Sequence, residues 1–167
     1  CFAFHESVAQ AVVPLLNDLA AERKNKLARA DASVETLRPW DAKVDADGQP
    51  PLRPFETGEE LLERTVTCFD RLDPSGELGQ YLRIMRRMGY LDLESRRGKA
   101  PGGYNYPLEE IGVPFIFMNA TGSLRDVVTM VHEGGHAVHS FLTRELPLKA
   151  FRNPPMEAAE LASMSME

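Results

Sequence analysis

The run HEGGHAVH at residues 132–139 contains three of the four histidines of the sequence and the pattern HExxH. Residues four positions apart lie on the same face of a helix, so His132 and His136 can both reach one metal ion. Zinc lowers the pKa of a bound water to about 7, and a nearby carboxylate can take the proton as that water attacks a carbonyl carbon. The spacing therefore predicts one Zn²⁺ bound by His132 and His136, with Glu133 as the general base.

The residues around the motif favour a metal site over an accidental match in an ordinary helix. Between Val127 and Leu142, Glu133 is the only acidic residue, and no lysine or arginine occurs. A lone carboxylate in so apolar a helix is costly to bury unless it has a partner or a function. Gly134 and Gly135 each cost a helix interior roughly 1 kcal/mol relative to alanine. We therefore expect these glycines to let a neighbouring strand or a substrate come close.

The third zinc ligand must come from elsewhere, because catalytic zinc sites usually have three protein ligands. The candidates are the acidic residues after the motif: Glu145, Glu157, Glu160 and Glu167. Glu145 follows too soon and belongs to the frayed end of the same helix. Glu160 and Glu167 are seven residues apart and share one face of a last helical segment, and Glu157 lies about 60° from that face. Spacing alone does not choose between Glu157 and Glu160.

The candidate site needs helices to position it, and most apolar residues of the chain recur at helical spacing. The exception is a short apolar run from Val113 to Met118, the one strand that the pattern predicts. The fold class is therefore mainly α with a small β-sheet, and the chain forms part of a single domain. Along the sequence we expect a helix over 1–36, a proline-rich connection over 37–56 docked by Trp40, helices over 57–89, a glycine-rich loop and edge strand over 98–122, and the helices of the metal site over 123–167.

Three local patterns refine this arrangement. Ser123 and Asp126 have the spacing of a capping pair at the start of the helix that carries HExxH. The stretch 102–106 is expected to be a mobile loop over the substrate or a surface turn. In the first helix the apolar residues follow one face and include Val8, Val12, Leu15, Leu16 and Leu19.

Composition excludes several classes of protein. The chain has 167 residues, with 19 Lys+Arg against 25 Asp+Glu and a net charge of -6, so nucleic acid is not expected as a partner. No apolar run approaches the ~20 residues of a membrane span, and no signal segment opens the chain. We therefore expect no membrane partner and a cytoplasmic location. Two cysteines are too few for a disulfide framework. The sequence begins without Met and stops inside a predicted helix, so we expect it to be part of a longer polypeptide.

Several runs resemble the oligopeptidase F branch of the thimet-oligopeptidase family of zinc peptidases. HExxH occurs in many metallopeptidases, but its combination with a Glu-x-x-Ser about two dozen residues later is much more specific. The resemblance extends over most of the chain and rests on these runs: DVVTMV at 126–131, GGHAVHSF at 134–141, ELAS at 160–163 with Glu167, RGKAPGGY at 97–104 and LRPWD at 37–41.

The resemblance implies a zincin-like helical metallopeptidase core around an active-site HExxH helix. It implies zinc on His132, His136 and Glu160, with Glu133 as general base. It also implies that the strand around 115–119 binds extended peptide backbone as an added β-strand would. The implied activity is hydrolysis of internal bonds of short peptides by attack of a zinc-bound water.

Weaker site candidates carry less specific expectations. His139 lies one turn beyond His136 and is expected to support a ligand or fill the core rather than bind zinc. Glu167 is a candidate for orienting a ligand, with a solvated position as the alternative. The weaker candidates for substrate contact are Phe117, Asn119 and Tyr104.

Two alternatives to the oligoendopeptidase stay open. Members of the family are longer and have a segment after the third ligand that supplies tyrosine and histidine side chains to the substrate carbonyl. The present sequence ends at Glu167, before any such segment. The chain could therefore be a non-catalytic zinc-binding fragment that needs the rest of a longer polypeptide. The other alternative is a zinc carboxypeptidase.

Overall fold

Six helices and three strands follow one another in residues 1–41 and 44–167, which are the residues that the computed structural model describes. The chain divides into two compact units, Cys1–Pro51 and Leu52–Glu167. The mainly helical fold with a small sheet is as the sequence predicted. In chain order the elements are α1 (Phe2–Ala30), α2 (Gly58–Leu72), α3 (Glu77–Met88), β1 (Leu91–Glu94), β2 (Tyr104–Tyr106), β3 (Phe115–Ala120), α4 (Leu124–Thr143), α5 (Lys149–Arg152) and α6 (Met156–Met164).

The first unit contains one long helix. α1 is continuous through Pro14 and ends at Ala30, because Asp31 adopts an extended conformation, so the helix expected over 1–36 is six residues too long. The structure describes every residue of α1, and none of them is buried, including the apolar face predicted from Val8 to Leu19. Apolar spacing thus predicted the helix correctly but said nothing about a partner for its apolar face.

The proline-rich connection contains no α-helix or strand in 37–41 and 44–56, and residues 42 and 43 lie outside the described residues. Trp40 is 61% exposed, so the expectation that it docks this connection is wrong. The contact that the structure shows instead is polar: Nε of Arg23 donates to the Asp41 carbonyl at 2.9 Å.

In the second unit, α2 and α3 form the helical side of the core. Thr57 caps α2 by accepting a hydrogen bond from the Glu60 N–H at 3.2 Å. α3 ends at Gly89, whose φ of 74° places it in the left-handed region that favours glycine. The buried side chains that these two helices contribute to the core are Leu61, Leu62, Val66, Phe69, Leu82 and Met85.

The sheet has three strands in the order β1-β3-β2. β3 is parallel to β1 and antiparallel to β2, and Ile116 has a partner on each side, in Leu91 and Asn105. The single edge strand that the sequence predicted is therefore the central strand. The stretch 102–106, expected to be a loop or turn, contains β2. Strands of three and four residues are too short for an alternating apolar pattern, which explains why β1 and β2 were missed.

α4 packs between the sheet and the helices α2, α3 and α6. It begins with the predicted capping box: Ser123 Oγ accepts from the Asp126 N–H, and Asp126 Oδ2 accepts from the Ser123 N–H at 2.8 Å. A Cβ on Gly134 would lie 2.9 Å from the Phe69 ring, so this glycine admits a side chain of α2 rather than a strand or a substrate.

Of the helices in the described residues, none is long and apolar enough to cross a membrane.

Candidate metal centre

Three potential ligands converge where α4 meets α6. His132 and His136 lie one turn apart on α4, and Glu160 reaches them from α6. Nε2 of His132 is 3.3 Å from Oε2 of Glu160, and Nε2 of His136 is 3.5 Å from Oε1 of the same carboxylate. Glu157, which spacing could not separate from Glu160, is exposed and is not part of this cluster.

The three side chains fit the geometry of a zinc site. In a tetrahedral site with ligand bonds of about 2.0–2.2 Å, neighbouring ligand atoms lie about 3.3–3.6 Å apart. Each histidine Nε2 lies within this range of one oxygen of Glu160, Oε2 for His132 and Oε1 for His136. One ligand atom from each of the three residues lies within 4.8 Å of the other two. Two imidazole nitrogens and one carboxylate oxygen are also a donor set that catalytic zinc sites use. The arrangement can hold one Zn²⁺ and leave a fourth coordination position open.

The approach of α6 to α4 depends on small residues. A Cβ on Gly135 would lie 3.1 Å from the Cα of Ser163, so the two backbones are close at this point. Ser163 is buried there, and its Oγ donates to the His132 carbonyl at 2.5 Å. Glu160 lies one turn before Ser163, which brings its carboxylate to the histidines. The contact between Gly135 and Ser163 therefore brings the HExxH motif and Glu160 into one cluster. Gly135 was expected to admit a strand or a substrate, but the element next to it is the helix α6.

Glu167 lies beside His132 on the side away from Glu160. Oε1 of Glu167 is 2.8 Å from Nδ1 of His132. When the carboxylate accepts a hydrogen bond from Nδ1–H, the lone pair of the neutral ring is on Nε2, the atom nearest to Glu160. The structure thus places Glu167 where it can orient His132.

Glu133 is 7% exposed, and it stands on α4 between the two histidines. Burial raises the pKa of its carboxyl above the ordinary value. The charge of His132 and the backbone N–H of Asn105 lower this pKa, whereas the charge of Glu160 raises it further. A carboxylate with a raised pKa is a better proton acceptor at neutral pH than an ordinary glutamate.

The pKa of His136 is shifted in the opposite direction. Burial lowers its pKa below the ordinary value, with a further decrease from the charge of His132, while Glu160 opposes the change. The imidazole is therefore neutral at lower pH than a free histidine. Because metals bind the neutral ring, this environment favours ligation.

His139 stands apart from the cluster of three. It is half-buried, and within the described part of the chain its buried Nε2 has no hydrogen-bond partner. It lines a cavity together with His136. The structure does not place it as a fourth member of the metal cluster.

The three weaker candidates for substrate contact belong to the sheet. Phe117 lies between the Lys99 ammonium, 4.4 Å from its ring centroid, and the stacked ring of Tyr104 at 5.1 Å. The side-chain amide of Asn119 donates to the carbonyls of Ala100 and Gly102, each at 2.8 Å. Phe117 and Asn119 thus support the glycine-rich loop, and Tyr104 is half exposed on the edge strand.

Two residues near the site were not singled out from the sequence. The side-chain amide of Asn105, on β2, donates to the Glu133 carbonyl at 3.4 Å and so links the edge strand to the HExxH turn. Nothing in its sequence context marks it. Arg152 lines the cavity of which His136 forms part of the wall, and it lies at the end of α5, a helix of only four residues.

Comparisons with known proteins show the family to which the chain belongs. The model of Peptidase family M3 matches residues 1–167. The plasmid-encoded oligoendopeptidase F of Lactococcus lactis subsp. cremoris is 36% identical over 113 residues, which is 68% of this chain and 18% of that protein. Oligopeptidase PepF of Bacillus subtilis (strain 168) is 32% identical over 99 residues, or 58% of this chain and 14% of the relative.

A solved structure described as PZ peptidase A with inhibitor 2 has the same fold, with a TM-score of 0.81 and 31% identity over 98% of this chain and 28% of that one. The chain therefore belongs to Peptidase family M3. Within that family it is an oligopeptidase F-like member, as its sequence motifs indicated. It spans less than a fifth of the length of these two curated relatives.

Proposed function

We propose that this chain provides the metal-binding and water-activating part of a zinc oligoendopeptidase, which hydrolyses internal bonds of short peptides. The observation that carries the proposal is the convergence of His132, His136 and Glu160 at distances suited to one zinc ion. The names of the relatives support the class of reaction, since two of them are oligopeptidases of the F type.

Each residue of the cluster would have a separate role in the reaction. His132, His136 and Glu160 would hold Zn²⁺, and Glu167 would orient His132 through its Nδ1–H. When bound, zinc would make water more acidic and polarise the scissile carbonyl. Glu133 would accept a proton from water as its oxygen attacks the carbonyl carbon, and would then give that proton to the leaving amine. Its raised pKa suits both transfers.

The peptide would lie along β2 rather than β3. The resemblance implied strand addition at β3, but residues 115–117 of β3 already pair with β2, and 116 and 117 also pair with β1. β2 is at the edge of the sheet, and Asn105 joins it to the Glu133 turn. A peptide that pairs with the outer edge of β2 would therefore pass beside the proposed general base.

A second candidate function is a zinc-binding segment that does not turn over substrate alone. This chain covers less than a fifth of the length of these relatives, which favours the second candidate. Groups that stabilise the developing oxyanion can come from the rest of a longer protein.

The test is hydrolysis of an internally quenched short peptide by the zinc-loaded chain beside its Glu133→Gln variant. Glutamine keeps the size of the side chain but cannot take the proton. We expect hydrolysis by the parent, a loss of at least about 100-fold in kcat for the variant, and equal zinc content in both. Equal rates would refute the role of Glu133.

Two further readouts separate the alternatives. A folded, zinc-loaded parent without activity would favour the non-catalytic segment. Restored turnover on adding the remaining polypeptide would then settle that case. Mass spectrometry of the products distinguishes an endopeptidase from a carboxypeptidase, since the latter releases only single C-terminal residues.

A further inference from the structure

A cavity of about 240 Å³ lies next to the metal centre, and His136 forms part of its wall. The other walls come from the segment before β3, the second half of α4 and the chain around α5. Pockets for drug-sized ligands measure roughly 300–1,000 Å³. This cavity is therefore of a size for one side chain or one chain end, directly beside the place where a peptide bond would react.

The charged groups that line the cavity are mostly cationic. Arg144 and Arg152 both belong to its wall. Among the described lining residues, Glu109 is the one carboxylate, and its Oε1 lies 2.7 Å from the Lys149 Nζ. Lys149 thus offsets the charge of Glu109, so the two arginines determine the sign of the potential in the cavity.

Arg152 is the better placed of the two arginines to bind an anion. It is half-buried, and its Nε donates to the Leu146 carbonyl at 2.8 Å, which fixes the plane of the guanidinium. No ion pair among the described residues includes Arg152, and its two terminal nitrogens make no hydrogen bond there. Arg144, in contrast, is exposed, and its Nε lies 3.1 Å from Glu145.

A fixed guanidinium with free terminal N–H groups matches the two oxygens of a carboxylate. We propose that this cavity binds a carboxylate of the peptide substrate, and that Arg152 is the specificity-determining residue. The inference rests on the proposed function, because the substrate must span from the cavity to the metal centre. The carboxylate is that of a chain end or that of an aspartate or glutamate side chain.

Three short peptides distinguish the two sources: N-acetyl-Ala-Ala-Ala as the free acid, the same peptide as the C-terminal amide, and N-acetyl-Ala-Glu-Ala amide. Their affinities for the zinc-loaded 167-residue chain are measured by titration calorimetry. We expect one of the two carboxylate peptides to bind about 10-fold or more tightly than the neutral amide, the usual size of a charge-assisted hydrogen bond. The peptide that gains affinity identifies the source.

The Arg152→Met variant tests whether this preference depends on the cavity. We expect it to abolish the preference while zinc content stays unchanged. The matched control is Arg125→Met, since Arg125 is exposed in the first turn of α4 and is not part of the cavity. A parent without preference would overturn the proposal. A preference that persists in Arg152→Met would also overturn it, because the metal or another group would then be binding the carboxylate.

If Arg152→Met does not fold, Arg152→Lys replaces it. Lysine keeps the charge but not the paired donors, so we expect a smaller preference, and an unchanged one would refute the role of the guanidinium. Failure of this proposal is distinguishable from failure of the proposed function. Selective binding without hydrolysis would retain the carboxylate site and favour the non-catalytic segment, whereas hydrolysis without selectivity would retain the peptidase and reject the carboxylate site.

Discussion

The two longest helices of the described residues, α1 and α4, differ in what surrounds them. α1 has 29 residues, none of which is buried, whereas α4 has 20 residues and buries eight of them. α4 is in contact with α2, α3, α6 and the sheet, which gives its buried residues packing partners. Glu133 is held in a low-polarity environment, with its raised pKa, because these partners exclude water around it.

The comparison teaches that apolar spacing predicts a helix but not its burial. Both helices have the spacing, yet α4 alone is part of the core that the described residues form. The chemistry of the site depends on this core: α2 holds one side of α4 through Phe69, and α6 holds another through Ser163. The following changes test how strongly the two regions differ.

The largest expected difference is in stability. Phe69→Ala removes a buried ring that packs against Gly134, and we expect it to lower the free energy of unfolding by about 3–5 kcal/mol. Leu16→Ala on α1 removes an exposed side chain and should change it by less than about 0.5 kcal/mol. Denaturant unfolding of both variants measures the difference. Similar losses in the two helices would contradict the comparison.

The next change acts on the contact between α4 and α6. Gly135→Val would force Ser163 away, because even a Cβ would lie 3.1 Å from its Cα. Glu160 would move with α6, so we expect zinc affinity to fall at least about 10-fold, the lower end of the effect of disturbing a ligand. The control is Ala158→Val, at an exposed position of α6. Unchanged zinc affinity in Gly135→Val would show that the cluster does not depend on this contact.

The smallest effect concerns an ion-pair network at the sheet. The Arg96 guanidinium lowers the pKa of Asp92 from 3.8 to about 2, with partial burial opposing it and Lys99 adding to it. The Lys99 side chain is 1% exposed and donates to Asp92 Oδ1 at 3.0 Å. Asp92→Asn should therefore lower stability at pH 7 by about 1–2 kcal/mol, whereas Asp18→Asn on α1 should have no effect.

This contribution depends on pH in a defined direction. The pKa of Asp92 is lower in the folded than in the unfolded chain, so the stabilisation is complete above about pH 4 and is lost as the pH falls towards 2. The difference in unfolding free energy between the parent and Asp92→Asn should be smaller at pH 3 than at pH 7. A difference that stays constant or grows on acidification would contradict the assigned pKa.

The sequence predicted those parts of the structure that depend on local spacing. His132, Glu133 and His136 follow from helical geometry, and the cap of α4 follows from Ser123 and Asp126. Glu160 could be separated from Glu157 only through the family resemblance, because the choice depends on how α6 packs on α4.

The parts that failed depend on tertiary partners. The position of β3 at the centre of the sheet is set by β1 and β2, two strands too short to have a pattern of their own. Trp40 was expected to dock the proline-rich connection, but it is 61% exposed, because docking depends on a tertiary partner that local sequence does not specify. Arg152 could not be assigned because its cavity exists only once α4 and α5 are in place.

The central claim is that His132, His136 and Glu160 bind one zinc ion. The most direct measurement is the zinc affinity of the chain and of its Glu160→Ala and Glu157→Ala variants, by competition with a chromogenic chelator. We expect one zinc per chain, a loss of more than about 100-fold for Glu160→Ala, and less than a threefold change for Glu157→Ala, because losing a ligand exceeds the 10–100-fold effect of disturbing its supporting partners. Tight zinc binding by Glu160→Ala, or its loss in Glu157→Ala, would contradict the account.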